Sequence, residues 1–91
     1  MAEFEWDEEK AVSNLQNHGV AFADAVSVVE GDPLAVTISD DFPGEDRQVT
    51  IGTDLLGRTL VVAYVRRRSR IRIISARKAT PRERRAYEGE R

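Results

Sequence analysis

The chain has 91 residues, which is the size of one small domain with a modest core. It contains no cysteine and one histidine, His18, which excludes disulfides, thiolate zinc sites and His-rich metal sites. No apolar run approaches the ~18 residues needed to span a membrane, and the acidic N-terminus lacks the basic and apolar regions of a signal peptide. We therefore expect a cytoplasmic protein that forms one domain over residues 1–91, with no metal or other cofactor.

The formal net charge of -2 conceals a strong asymmetry along the chain. Residues 1–45 carry 11 acidic side chains and one basic side chain, whereas residues 46–91 carry 5 acidic and 13 basic ones. Such an asymmetry indicates a polyanionic or acidic partner for the C-terminal half. The alternative is that the two halves face each other and partly neutralise their charges.

Two short amphipathic helices are predicted in the N-terminal half. Asp7 fits an N-cap and Gly19 fits the left-handed position after a helix end, which together predict a helix over about 7–18. Apolar residues at i, i+3, i+4 and i+7 between Phe22 and Val29 predict a second helix, which Gly31-Asp32-Pro33 ends. Residues 1–6 alternate between apolar and acidic side chains and form either a short strand or a lead-in to the first helix.

The pattern then changes to that of strands joined by turns, with an exposed loop over 39–46. A last helix is predicted after Thr80, since Thr80 and Glu83 form a capping box and Pro81 takes the first helical position. The expected fold is α+β, with two N-terminal helices, a four-stranded antiparallel sheet and a C-terminal helix. The four predicted strands are Leu34–Ile38, Arg47–Thr53, Arg58–Arg66 and Arg70–Ala76.

Arginine is concentrated on and beside the predicted strands. Because side chains alternate along a strand, Arg70 and Arg72 share one face. The planar guanidinium donates two hydrogen bonds at once to a phosphate, so such a face suits phosphodiester binding. A solvated face with salt bridges to the acidic half explains the same pattern. The arginines concerned are Arg47, Arg58, Arg66, Arg68, Arg70, Arg72 and Arg77.

Few residues are suited to enzyme chemistry. His18 lies at a predicted helix end, where interaction with the last carbonyls is the favoured role. The acidic cluster around the 39–46 loop lacks the spacing of a calcium loop and is read as solvated. An arginine surface can nonetheless promote attack of an RNA 2′-hydroxyl on its own phosphodiester, which requires no protein nucleophile. The polar groups available to assist are Lys10, Glu45, Glu83, His18 and Tyr87.

Several separate segments, spread over nearly the whole chain, form a recognisable set. They are Phe4-Glu5-Trp6-Asp7, Lys10, Asn14 and His18-Gly19-Val20-Ala21-Phe22; Glu45-Asp46-Arg47, Ile51-Gly52 and Gly57-Arg58; and Arg72-Ile73-Ile74-Ser75-Ala76-Arg77-Lys78-Ala79-Thr80, Glu83 and Tyr87-Glu88. In their order and spacing, these segments resemble the BrnT family. One departure is Asn17, where many relatives have a lysine.

The resemblance implies a toxin of a bacterial type II toxin–antitoxin module with a RelE/ParE-like fold. The implied activity is metal-independent RNA cleavage that arrests translation. The implied partner is a BrnA-type ribbon-helix-helix antitoxin, whose two-fold symmetry suggests a 2:2 complex. Operator DNA would be contacted mainly through the antitoxin, and no membrane is involved.

The resemblance also implies the site residues. Lys10 and Glu45 are the candidates for proton transfer, although Lys10 could instead pair with neighbouring acids on its helix. Tyr87 either stacks on a base or packs the last helix against the sheet. The expected catalytic set is Lys10, Glu45, Arg47, Arg72 and Arg77, and the expected substrate-binding set is Arg66, Arg68, Arg70 and Tyr87.

Two other functions fit the same residues. The basic sheet face could bind nucleic acid or protein without breaking a bond. Alternatively, the arginines could serve only the antitoxin, in a toxin that attacks some other target.

Overall fold

The computed structural model describes residues 3–40 and 46–89. The elements in chain order are β1 (Glu3–Glu5), α1 (Glu8–His18), α2 (Phe22–Gly31), β2 (Val36–Asp40), β3 (Arg47–Thr53), β4 (Thr59–Arg67), β5 (Arg70–Lys78) and α3 (Pro81–Gly89). No helix within the described ranges is long and apolar enough to cross a membrane.

The helix ends follow the predicted capping residues. Asp7 Oδ1 accepts the Lys10 N–H at 3.1 Å, and Gly19, at φ 69°, donates its N–H to the Leu15 carbonyl at 2.9 Å. At the start of α3, Thr80 Oγ1 accepts the Glu83 N–H at 3.1 Å and Glu83 Oε1 accepts the Thr80 N–H at 2.9 Å. The three predicted helices are therefore confirmed.

The sheet has the order β1-β5-β4-β3-β2. Strands β2 to β5 pair antiparallel as expected, but β1 adds a fifth strand, which runs parallel to β5. The α+β class is confirmed and the four predicted strands form the antiparallel sheet, but the predicted strand number is one too low, because the parallel β1 was not counted. The reason lies in the N-terminal alternation: Phe4 packs against the core, while Glu5 binds arginines of β5.

Strand β2 begins two residues later than predicted because Asp32 organises a turn before it. Asp32 Oδ1 accepts the Leu34 N–H at 2.9 Å, and the Asp32 carbonyl accepts the Ala35 N–H at 3.2 Å. Strand β5 runs two residues further than predicted, to Lys78, because its pairing with β4 continues to Leu60.

Helices α1 and α2 cover one face of the sheet, and the core lies between them. Val20, Phe22, Ala25 and Val28 contribute the helical side, and Trp6 meets Phe22 edge to face with ring centroids 5.9 Å apart. The sheet contributes alternate residues of β4 and β5, so the residues between them point to the opposite face. The sheet residues of the core are Leu60, Val62, Tyr64, Ile71, Ile73 and Ala76.

Candidate functional site on the arginine-bearing sheet face

The sheet face opposite α1 and α2 is organised in rows of directly opposed residues. One row joins Glu5, Arg72, Val65 and Arg47 across β1, β5, β4 and β3. Directly opposed residues project from the same face of a sheet. Arg47 and Arg72 therefore lie two strands apart, about 10 Å between Cα atoms, on either side of the buried Val65.

A β-bulge brings a third arginine to the same face. Arg72 and Arg77 are five residues apart, and strict alternation would place them on opposite faces. The register of β5 against β4 shifts between Ala63 and Tyr64, leaving Ile74 as the extra residue. Beyond the bulge, Arg77 is opposed to Val61 and therefore shares the face of Arg72 and Arg47.

Small and apolar side chains form the floor between these arginines. One row of the floor joins Ser75, Ala63, Val49 and Ile38, and the exposed fraction of Ile38 is 57%. At the end of β5 away from Arg77, Arg70 is opposed to Arg67, and this pair adds two more cations to the face. Arg67 belongs to this face by register, although the strand predicted from the sequence ends at Arg66.

Glu5 neutralises one side of the face. Its Oε2 accepts from Arg72 Nη1 at 2.9 Å and its Oε1 accepts from Arg70 Nη1 at 3.2 Å. These two hydrogen bonds, the one from Arg72 first, lower the pKa of Glu5. The acidic and basic halves of the chain therefore do face each other here, as the alternative reading of the charge asymmetry proposed.

Glu83 holds Arg77 through two parallel hydrogen bonds. Arg77 Nη1 donates to Oε1 at 2.8 Å and Nη2 donates to Oε2 at 2.9 Å. The bonds from Arg77, followed by the backbone N–H of Thr80, lower the pKa of Glu83 to about 2, and the same pairing raises the pKa of Arg77. The carboxylate is thus ionised at any pH near neutrality.

Arg58 has a structural role instead of a place on this face. It donates to the buried Asp54 carboxylate from Nε at 3.0 Å, to Asp24 Oδ2 at 3.0 Å and to the Gly19 carbonyl at 3.1 Å. These bonds link the turn between β3 and β4 to Gly19, in the loop before α2, and to Asp24, in the first turn of α2. Its guanidinium is therefore committed to the fold.

The remaining expected arginines lie at the β4–β5 hairpin. Arg66 is opposed to Ile71, a core residue, so it points to the helical face, but it lies at the end of the strand and is exposed. Arg68 is exposed in the turn with φ 54°. Of the expected substrate-binding arginines, the structure therefore brings only Arg70 together with Arg47, Arg72 and Arg77 on one face.

Lys10 lies on α1, away from this face. It lines a cleft of about 220 Å³ with Ser13, Asn14, Asn17, His18 and Ile74. None of the sheet arginines lines this cleft. The second expected proton-transfer residue, Glu45, lies outside the described residues, as does most of the acidic loop.

Tyr87 is 2% exposed and packs α3 against the end of the sheet. Its hydroxyl donates to Asp32 Oδ2 at 2.6 Å and lies 3.3 Å from Thr53 Oγ1. Asp32 Oδ2 also accepts the Thr53 N–H at 2.8 Å. The geometry is that of the packing role considered for this residue, and stacking on a base stays a prediction.

Clusters of side chains suited to a metal ion are absent from the described ranges. Within residues 3–38 and 46–89, no three His, Cys, Asp or Glu side chains lie close enough together to hold one. The acids nearest the arginines are instead paired with them, as Glu5 and Glu83 show.

Comparison with known proteins identifies a family and a related solved structure. A family described as the ribonuclease toxin BrnT of type II toxin–antitoxin systems matches residues 6–83. The crystal structure of the Brucella abortus ribonuclease toxin BrnT superposes with a TM-score of 0.73 and 27% sequence identity, covering 88% of this chain and 99% of that one. No curated protein matched the sequence.

Proposed function

The chain belongs to the BrnT family of ribonuclease toxins of type II toxin–antitoxin systems, and we propose on that basis that it is an endoribonuclease that cleaves RNA and thereby inhibits translation. The observation that carries the proposal is that Arg47, Arg72 and Arg77 lie on one face of the sheet. The proposed reaction is attack of an RNA 2′-hydroxyl on the adjacent phosphodiester, without a metal ion.

The arginines meet two requirements of that reaction, the orientation of the RNA backbone and the stabilisation of charge in the transition state. Guanidinium groups on β3 and β5 bind the phosphate oxygens and hold the backbone in one orientation. They also stabilise the negative charge that develops on the phosphorane in the transition state. The floor between these arginines carries the shorter side chains of Ser75, Ala63 and Val49, and we propose that the RNA strand runs over it.

The family resemblance implies Lys10 or Glu45 for proton transfer. Because Lys10 lies on α1, away from the arginine face, Glu45 is the residue we propose for this step. Glu83 is a poor general base near neutral pH, since its pKa of about 2 makes it a weak proton acceptor. Its bidentate bond to Arg77 instead supports a role in holding that arginine.

The proposed partner is a BrnA-type ribbon-helix-helix antitoxin in a 2:2 complex in the cytoplasm, with operator DNA contacted through the antitoxin. Glu5 and Glu83 show that carboxylates bind the arginines of this face well. Acidic side chains of an antitoxin would therefore compete with RNA for the same guanidinium groups. Co-purification from the native operon should yield both proteins, and recovery of this chain alone would contradict the complex.

The activity is tested with the purified chain and a single-stranded RNA in the presence of EDTA. We expect cleavage that leaves a 2′,3′-cyclic phosphate or a 3′-phosphate, and a loss of cleavage in Arg77→Ala. RNA that stays intact with the native protein would overturn the proposal. Salt-sensitive binding without cleavage would instead identify a non-catalytic binding domain.

A further inference from the structure

The pairing with Glu83 uses only part of the guanidinium of Arg77. A guanidinium carries five N–H donors. Nη1 directs one to Glu83 Oε1 at 2.8 Å and lies 3.5 Å from the Lys78 carbonyl, and Nη2 directs one to Glu83 Oε2 at 2.9 Å. Two donors are left, the Nε–H and the second Nη2–H, and they project from the same edge of the plane.

This second edge is open for a ligand. The Arg77 side chain is 42% exposed, and the described ranges contain no hydrogen-bond acceptor for its Nε. Two parallel N–H groups on one edge match two oxygens of a phosphate, as they match the two oxygens of a carboxylate. Arg77 can therefore hold Glu83 end-on and a phosphodiester side-on at the same time.

Glu83 is itself fixed in place. Its Oε1 also accepts the backbone N–H of Thr80 at 2.9 Å, a bond that does not involve the Thr80 side chain. The carboxylate plane is thus set by the first turn of α3, and it sets the plane of the guanidinium in turn. Because the pKa of Glu83 is about 2, the carboxylate is ionised and holds Arg77 throughout the neutral pH range.

We propose that Glu83 is a positioning residue, which orients Arg77 so that its Nε and Nη2 edge receives one phosphate of the RNA backbone. The inference rests on the proposed function and adds a residue and a binding geometry to it. It gives α3 a role in the site, because the carboxylate that caps this helix also fixes the orientation of an arginine on the sheet.

A binding measurement tests the geometry without cleavage. The Nε–H signal of Arg77, assigned by its loss in Arg77→Lys, is followed by NMR during titration with a single-stranded 2′-deoxy oligonucleotide, which lacks the attacking hydroxyl. We expect a saturable shift in the native protein and in Thr80→Ala, which keeps the Arg77–Glu83 pair. The shift should be absent in Glu83→Gln, and an unchanged shift there would overturn the proposal.

A kinetic measurement separates positioning from stability. We expect Glu83→Gln to lower kcat roughly 10- to 100-fold with a smaller effect on KM, as a misplaced catalytic group does. Thr80→Ala is the matched control, since it removes the other half of the capping box, and its kcat should stay within about twofold of native. An equal loss in Thr80→Ala would show that Glu83 matters only for the helix.

Two further variants complete the test. In an Arg77→Ala background, Glu83→Gln should cause no additional loss, because it acts through Arg77; additive losses would overturn the proposal. Arg77→Lys keeps a charge beside Glu83 but lacks the second edge, so it should fold and remain as impaired as Arg77→Ala. If the native chain cleaves no RNA, the proposed function fails, whereas the NMR titration still decides the geometry.

Discussion

The side chain of Asn14 pairs with both backbone polar groups of Ala76, as a neighbouring strand would. Its Oδ1 accepts the Ala76 N–H at 3.1 Å and its Nδ2 donates to the Ala76 carbonyl at 2.7 Å. The same Nδ2 donates to the Val20 carbonyl at 2.9 Å. Strand β1 pairs with β5 only as far as Arg72, so a residue of α1 takes over beyond that point and links the helix to the residue before Arg77.

Replacing Asn14 should therefore destabilise the whole fold. Asn14→Leu, similar in volume, leaves the backbone groups of Ala76 buried without partners, and we expect a loss of roughly 2–4 kcal/mol in the free energy of unfolding. Urea denaturation measures it. Asn17→Ala is the control, since Asn17 is exposed and its side chain bonds only to Ser13 among the described residues. A loss as small as that of the control would show that water replaces the amide.

Acid should weaken the fold through Glu83. Its folded pKa of about 2 lies below the ordinary value of 4.5, so the stability it supplies is complete above pH 4.5 and is lost as the pH falls toward 2. Because the pair is partly open to solvent, we expect about 1–2 kcal/mol. Thermal unfolding of the native protein and Glu83→Gln between pH 7 and pH 2 measures the difference, which should shrink to near zero at the acid end. A difference that does not change with pH would contradict an ionic contribution.

Much of the fold follows from local patterns in the sequence. Asp7, Gly19 and the Thr80–Glu83 capping box predict helix ends because capping depends on residues three or four positions apart. The arginine face was only partly predictable, since Arg70 and Arg72 share it by simple alternation, whereas Arg77 reaches it only through the bulge at Ile74. A bulge depends on how two strands pair, and nothing in the local sequence signals it.

The carboxylates that bind the arginines could not be predicted from local patterns either, because they come from distant parts of the chain. Glu5 and Arg72 are brought together by a parallel pairing between the two ends of the chain. Arg58, which belongs to the arginine-rich pattern, bonds to Asp24 across 34 positions. Sequence composition therefore predicts that cations gather on the sheet, but which of them face RNA is decided by long-range register.

The hydroxyl of Tyr87 provides a test of whether this group serves packing or contacts RNA. Tyr87→Phe keeps the ring and removes the hydroxyl that donates to Asp32 at 2.6 Å. We expect a loss of about 1–2 kcal/mol in unfolding free energy, because a charged acceptor loses its donor, with kcat near the native value. Chemical denaturation and RNA cleavage of the same preparation measure both. A fall in oligonucleotide affinity at unchanged stability would show that the phenol contacts RNA.

The two faces of the β4–β5 hairpin provide a matched pair of charge deletions. Arg72 is opposed to Val65 on the arginine face, whereas Arg66 is opposed to the core residue Ile71 and points to the helical face. Both deletions remove one positive charge, so any difference between them reports the position of the charge.

For a single-stranded 2′-deoxy oligonucleotide, Arg72→Ala should weaken binding and reduce the slope of log affinity against log salt by about 0.7, the value for one phosphate contact. Arg66→Ala should leave that slope nearly unchanged, because its side chain lies on the other side of the sheet. Fluorescence anisotropy over a range of salt concentrations measures both slopes. In the same assay, Glu5→Gln should bind the oligonucleotide more tightly than the native protein, because it releases Arg72 from the carboxylate. The reverse order of the two arginine variants would place the RNA on the helical side of the hairpin.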